Sequence, residues 1–153
     1  MLITQPDRDR LVDLVKNYNP PKALGAARLE LLTRVNAATI VPPAMIPQSV
    51  VTMNSVVELI EISSGEVVTY ALVYPPDANV DRLKISVLAP LGVAMLGKSE
   101  GEIVAFTVPA GTKRYFIRKV VYQPEARLHG GPDDQEELRS DEPGSPAASS
   151  AGQ

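Results

Sequence analysis

The chain has 153 residues, 44% of them hydrophobic, with five tyrosines, two phenylalanines, no tryptophan and no cysteine. That length suits one domain with a small accessory element, and the missing cysteines exclude disulfides, thiolate nucleophiles and cysteine-ligated zinc. Seven of the 18 acidic and two of the 15 basic residues follow Pro124, so the net charge of −3 divides into a body at +2 and a tail at −5, neither being the basic patch of a sequence-specific nucleic-acid binder.

The start, Met1-Leu2-Ile3-Thr4-Gln5-Pro6-Asp7, lacks a basic segment followed by a long apolar run, so no secretory signal is expected. The apolar stretches fall short of the roughly 20 residues needed to cross a bilayer. A cytoplasmic chain without membrane attachment is therefore expected. Thr4 can cap a helix, Pro6 suits a first turn, and Asp7 and Asp9 complement the positive helix end. Leu11, Leu14, Val15 and Tyr18 then repeat at helical spacing, until Asn19-Pro20-Pro21 interrupts. A second helix is predicted from about Lys22 to Ala38, with Leu24, Leu31, Val35 and Ala38 on one stripe and Ala27 beside it. Two short helices with a tight connection imply an antiparallel hairpin over residues 1–39.

Residues 40–49 contain Pro42, Pro43 and Pro47 and read as an extended linker. From 50 to 124 the pattern changes to strands. Val56–Ile62, Val67–Tyr74, Lys84–Leu88, Ile103–Val108 and Lys113–Tyr122 are the predicted strands, with turns at Ser63–Glu66 and Pro109–Gly111. Pro90–Leu96 reads as a short helix stopped by Gly97. The fold class is α+β, dominated by antiparallel sheet. Residues 125–153 are rich in Gly, Pro, Ser, Asp and Glu. They cannot bury enough apolar surface to offset about 1–2 kcal/mol of ordering cost per residue, and a disordered acidic tail is expected.

Catalytic chemistry is hard to find. The single histidine, His129, falls in the expected tail, so neither a catalytic histidine nor a histidine metal site is predicted. Gly92-Val93-Ala94-Met95-Leu96-Gly97-Lys98-Ser99 satisfies the bare phosphate-loop pattern. Its four intervening residues are apolar, however, and no βαβ unit surrounds it, so a buried helical turn is the better reading. No catalytic residue, metal or cofactor is assigned. The acidic run Asp133, Asp134, Glu136 and Glu137 reads as a solvated tail.

One segment carries a resemblance. Lys84-Ile85-Ser86-Val87-Leu88-Ala89-Pro90-Leu91-Gly92-Val93-Ala94-Met95-Leu96-Gly97-Lys98 resembles the signature of the Gre transcription factors. So do the spacing to Gly101-Glu102, the turn at Val108–Gly111 and the closing Tyr115-Phe116-Ile117. Val51–Ser55, Thr69–Pro75 and Tyr122–Ala126 are similar to a subgroup, the regulators of nucleoside diphosphate kinase (Rnk). The resemblance implies an FKBP-like domain that docks on RNA polymerase at the rim of its secondary channel. It implies contacts at Ser86, Leu88, Ala89, Pro90 and Leu91. The family pattern has an acid and a serine before the proline; here Leu88 and Ala89 replace them, which implies a more apolar contact.

Gre factors that promote transcript cleavage carry acidic residues at the tip of a long coiled coil. Residues 19–28 contain no carboxylate, and helices of about 14 residues reach only about 20 Å. The resemblance therefore implies a monomeric, non-enzymatic regulator that binds polymerase without stimulating cleavage. The alternatives are a cleavage-active Gre-type elongation factor, a direct regulator of nucleoside diphosphate kinase, and a peptidyl-prolyl isomerase, the last resting on fold alone.

Overall fold

The computed structural model describes residues 1–17 and 25–129. Helix α1 spans Gln5–Asn17, and the Thr4 hydroxyl accepts the Asp7 N–H at 3.4 Å, a long version of the predicted cap. Helix α2 spans Gly25–Asn36. Leu11 and Val15 of α1 and Leu31 and Val35 of α2 are buried together, as the helical spacing requires. Arg28 of α2 donates Nε to the Val15 carbonyl at 2.9 Å and so satisfies one of the carbonyls left open at the end of α1. The expected turn of the hairpin, Asn19-Pro20-Pro21, lies outside the described residues, as do Tyr18 and the expected start of the second helix at Lys22.

A feature the sequence does not announce ties the start of the chain to the end of α2. Strand β1, Leu2–Ile3, runs parallel to β2, Thr39–Ile40. Strands of two residues have no periodicity to detect. The expected linker is also more than a spacer. Pro43–Met45 forms a 3-10 turn, Ile46 is completely buried, and Gln123 donates Nε2 to the carbonyls of Pro47 and Val50, both at 2.7 Å. The prolines fix the backbone, and Gln123 ties it to the end of the sheet domain.

That domain contains β3 (Val56–Glu61), β4 (Val67–Val73), β5 (Lys84–Ser86), α3 (Pro90–Met95), β6 (Ile103–Val108) and β7 (Gly111–Tyr122). The five strands are ordered β5-β4-β3-β7-β6. Every pair is antiparallel except β4 with β5. The parallel pair arises because the chain leaves β4 through two 3-10 turns, Pro75–Asp77 and Val80–Arg82, and returns in the same direction. Alternation in β3 sends Val57 and Leu59 to the core face, where Leu72, Met95 and Ile117 are also buried. Helix α3 packs against β6 on that face.

One boundary moves. Ordered structure continues past residue 124: Pro124–His129 is a 3-10 helix and Glu125 is buried. The expectation of a disordered tail from 125, with His129 inside it, therefore fails over its first five residues, because Glu125 finds a buried hydroxyl partner. The rest of that expected tail, 130–153, lies outside the described residues.

Candidate functional site

The candidate site is the turn between β5 and α3. Ser86 organises it with two acceptors. Its hydroxyl takes the Leu88 N–H at 3.0 Å, and its carbonyl takes the Ala89 N–H at 3.0 Å. Ala89 stands at the N-cap position in extended backbone, φ −74° and ψ 152°, with no side-chain cap. Pro90 follows at the first helical position, where its missing N–H costs nothing, and the Val93 N–H returns to the Ala89 carbonyl at 2.9 Å.

The five residues singled out in the sequence divide into two groups. Ser86, Ala89 and Pro90 are partly exposed. Leu88 is 2% exposed and Leu91 5%, and both belong to the main hydrophobic cluster. Leu88, expected as an apolar contact, is buried beneath the turn in this structure, as is Leu91. Of the five, Ser86, Ala89 and Pro90 keep partly exposed surface there.

Gly92 explains how α3 can lie so close. A Cβ there would fall inside contact distance of the Ser86 carbonyl oxygen and 3.0 Å from the Val87 Cα. The phosphate-loop pattern is occupied by the fold itself. Val93, Ala94, Met95 and Leu96 are buried. The N–H groups of Val93, Leu96, Gly97 and Lys98 donate to the carbonyls of Ala89, Gly92, Val51 and Met95. None of these four amides is left for a phosphate. Among the described residues, no three or more His, Cys, Asp or Glu side chains are arranged to hold a metal, and no helix is long and apolar enough to cross a membrane.

A polar seam that sequence reasoning missed lies where α1 meets the sheet domain. Tyr74, just past β4, donates its hydroxyl to Asp7 Oδ1 at 3.1 Å, and the Arg10 guanidinium sits 3.8 Å over the Tyr74 ring. Nearby, Thr52 donates to Glu125 Oε1 at 2.7 Å, and Thr52 shares a 2.9 Å hydroxyl contact with Ser55. Burial pushes the Asp7 carboxyl above its usual range, against the lowering pull of Tyr74, Thr4 and Arg10. Burial also raises Glu125, opposed by the Thr52 hydrogen bond, and raises the Tyr74 phenol well above its usual value. Asp7 and Glu125 each raise the charge cost of the seam, since Asp7 repels Glu125.

The sign of the linkage follows. Both carboxyls titrate higher folded than unfolded, where about 4 is ordinary. Their contribution to stability is therefore fully present below about pH 4 and is lost as pH rises through the folded values. The double variant Asp7→Asn, Glu125→Gln keeps both acceptor oxygens and removes the charge. In urea titrations it should lose much of the parent's gain in midpoint between pH 7.5 and pH 5. An unchanged pH dependence would remove these two groups from the account.

The profile of the family described as "Transcription elongation factor, GreA/GreB, C-term" matches residues 46–122. The "Regulator of nucleoside diphosphate kinase" of Escherichia coli K12 is 36% identical over 97 residues, covering 63% of this chain and 71% of that protein. The "Transcription elongation factor GreA" of Ralstonia nicotianae is 32% identical over 95 residues, 61% of this chain and 60% of that one. A solved structure described as a prokaryotic transcription elongation factor GreA/GreB from Nitrosomonas europaea superposes with a TM-score of 0.68 at 36% identity. It covers 80% of this chain and 98% of that one.

Proposed function

The chain belongs to the GreA/GreB family of transcription elongation factors through its C-terminal domain, and from that premise we propose that it is a non-catalytic regulator docking on RNA polymerase at the secondary-channel rim. The observation that carries the reading is the turn at Ser86–Pro90. It presents Ser86, Ala89 and Pro90 on a base held by buried Leu88 and Leu91. The mixed fold supports reading the sheet domain as FKBP-like, with α1 and α2 as the arms of a short antiparallel hairpin. A role on polymerase implies a cytoplasmic monomer with no cofactor.

Binding without cutting is supported by reach and charge. Helix α1 has 13 residues and α2 has 12, about 20 Å each at 1.5 Å per residue. The sequence joining them carries no carboxylate between residues 18 and 29, so nothing there would help hold a catalytic cation. An isomerase reading gains no support. Phe106 and Tyr115 stack on each other, centroids 5.9 Å apart, and the groove formed by residues 61–63, 108 and 110–114 has no aromatic in its lining.

The test is competition on core RNA polymerase. A Gre factor should displace this chain from the enzyme, and the chain should not stimulate transcript cleavage. Failure to compete at saturating Gre factor sinks the docking proposal, and cleavage stimulation sinks the non-catalytic part. Ala89→Ser sharpens the assay. A serine at this N-cap position can accept an N–H from the first turn of α3, worth about 1 kcal/mol of stability, and it restores the hydroxyl the family pattern carries there. Tighter polymerase binding, read from the same displacement curve, is expected.

A further inference from the structure

Helix α3 has six residues, so its C-terminal carbonyls depend on partners from elsewhere. Arg34, near the end of α2, supplies them. It donates Nη1 to the Val93 carbonyl and Nη2 to the Leu96 carbonyl, and Nη2 also lies 3.9 Å from Met1 Sδ. A cation belongs at the negative end of a helix, and the fork of a guanidinium reaches two carbonyls at once where an ammonium cannot match its geometry. Burial disfavours the Arg34 charge and Glu30, one turn earlier, favours it. A second link joins the other helix: Asp7 and Arg10 of α1 hold Tyr74, by the 3.1 Å hydrogen bond and the stacked guanidinium. Because the two links start from different helices, together they resist rotation as well as separation. The same six-residue helix thus carries the exposed turn at its N-terminal end and Arg34 at its C-terminal end.

We propose that Arg34 is a positioning residue: by bridging the Val93 and Leu96 carbonyls it holds the α1–α2 pair in one orientation relative to the Ser86–Pro90 turn, so that helices and turn act as one rigid body. The consequence for transcription rests on the docking reading above; the geometry does not. A docked turn then dictates where the helical pair points, and a loosened pair binds without being aimed.

The chain has no cysteine, so paired labels are easily placed. Lys16→Cys on α1 and Thr107→Cys on β6, both exposed positions, would carry spin labels for dipolar distance measurement on the full chain. One narrow distance distribution is expected in the Arg34 protein. Arg34→Gln should at least double its width, and Arg34→Lys should fall between. In binding assays Arg34→Gln should keep polymerase affinity within about twofold, while its effect on transcription falls several-fold at equal occupancy. An Arg34→Gln distribution as narrow as the parent's overturns the proposal. Should Arg34→Gln fail to fold, Arg34→Lys and Tyr74→Phe decide it, and unchanged widths in both overturn it equally. If the docking reading fails instead, the parent protein does not bind polymerase, and the distance result still stands alone.

Discussion

Gly92→Ala should be among the most damaging single-methyl changes in this chain. The added carbon has nowhere to go: its neighbours are the Ser86 carbonyl and the Val87 Cα, both backbone, so no side chain can rotate aside. Either α3 lifts from the turn or β5 is pushed outward from β4. Overpacking of a rigid site commonly costs 1–3 kcal/mol, and a backbone clash belongs at the upper end, about 3 kcal/mol. With a urea slope of about 1–3 kcal/mol per molar, the unfolding midpoint should fall by about 1–3 M. The same shift displaces Ser86 and Ala89 from each other, so polymerase affinity should fall even at low temperature where the variant remains folded. A variant with the parent's midpoint would mean that the turn has slack the structure does not display. Helix propensity argues in the opposite direction, because alanine is about 1 kcal/mol better than glycine inside a helix. A net loss therefore isolates the steric term.

Why the sequence reveals some of this and hides the rest is visible residue by residue. Leu11 and Val15, or Leu31 and Val35, repeat at the helical period, and their burial follows from that period alone. Strands β3 and β4 are similarly legible, because Ser63–Glu66 separates two β-rich runs that pair in register from Val56 with Ala71 to Ile60 with Val67. The parallel β5 is not legible: three residues cannot show a direction. Leu88 misleads for a related reason. It sits where strand alternation stops and a turn begins, so Val87 and Leu88 are consecutive and both buried, and no period tells which way Leu88 faces. The Arg34 link spans 59 and 62 positions, and the Tyr74–Asp7 link spans 67. Such partners leave no local signal. Glu125 is hidden by averaging, being one acidic residue ahead of a polar, proline-rich segment, while its burial depends on Thr52, which is 73 positions away.

Leu88 and Leu91 give the sharpest separation between supporting the turn and touching a partner. If Leu88 met polymerase directly, Leu88→Ala would weaken binding and leave stability nearly unchanged, as surface substitutions do. Burial of both side chains leads us to expect the reverse. With Leu88 2% and Leu91 5% exposed, truncation removes buried methyl groups and leaves a cavity, at a cost of about 2–5 kcal/mol each. Leu88→Ala should lower the urea midpoint by about 1 M or more while affinity per folded molecule, measured by polymerase titration at low temperature, changes little. Pro90→Ala should do the opposite. Its ring is partly exposed, so stability should move by less than about 1 kcal/mol and binding should carry the loss. The two leucines are close and share the same cluster, so their costs should not add; the double variant should be less destabilised than the sum if the vacated space collapses. Binding loss in Leu88→Ala with an unmoved midpoint would return that side chain to the contact surface and would require the turn to open on docking.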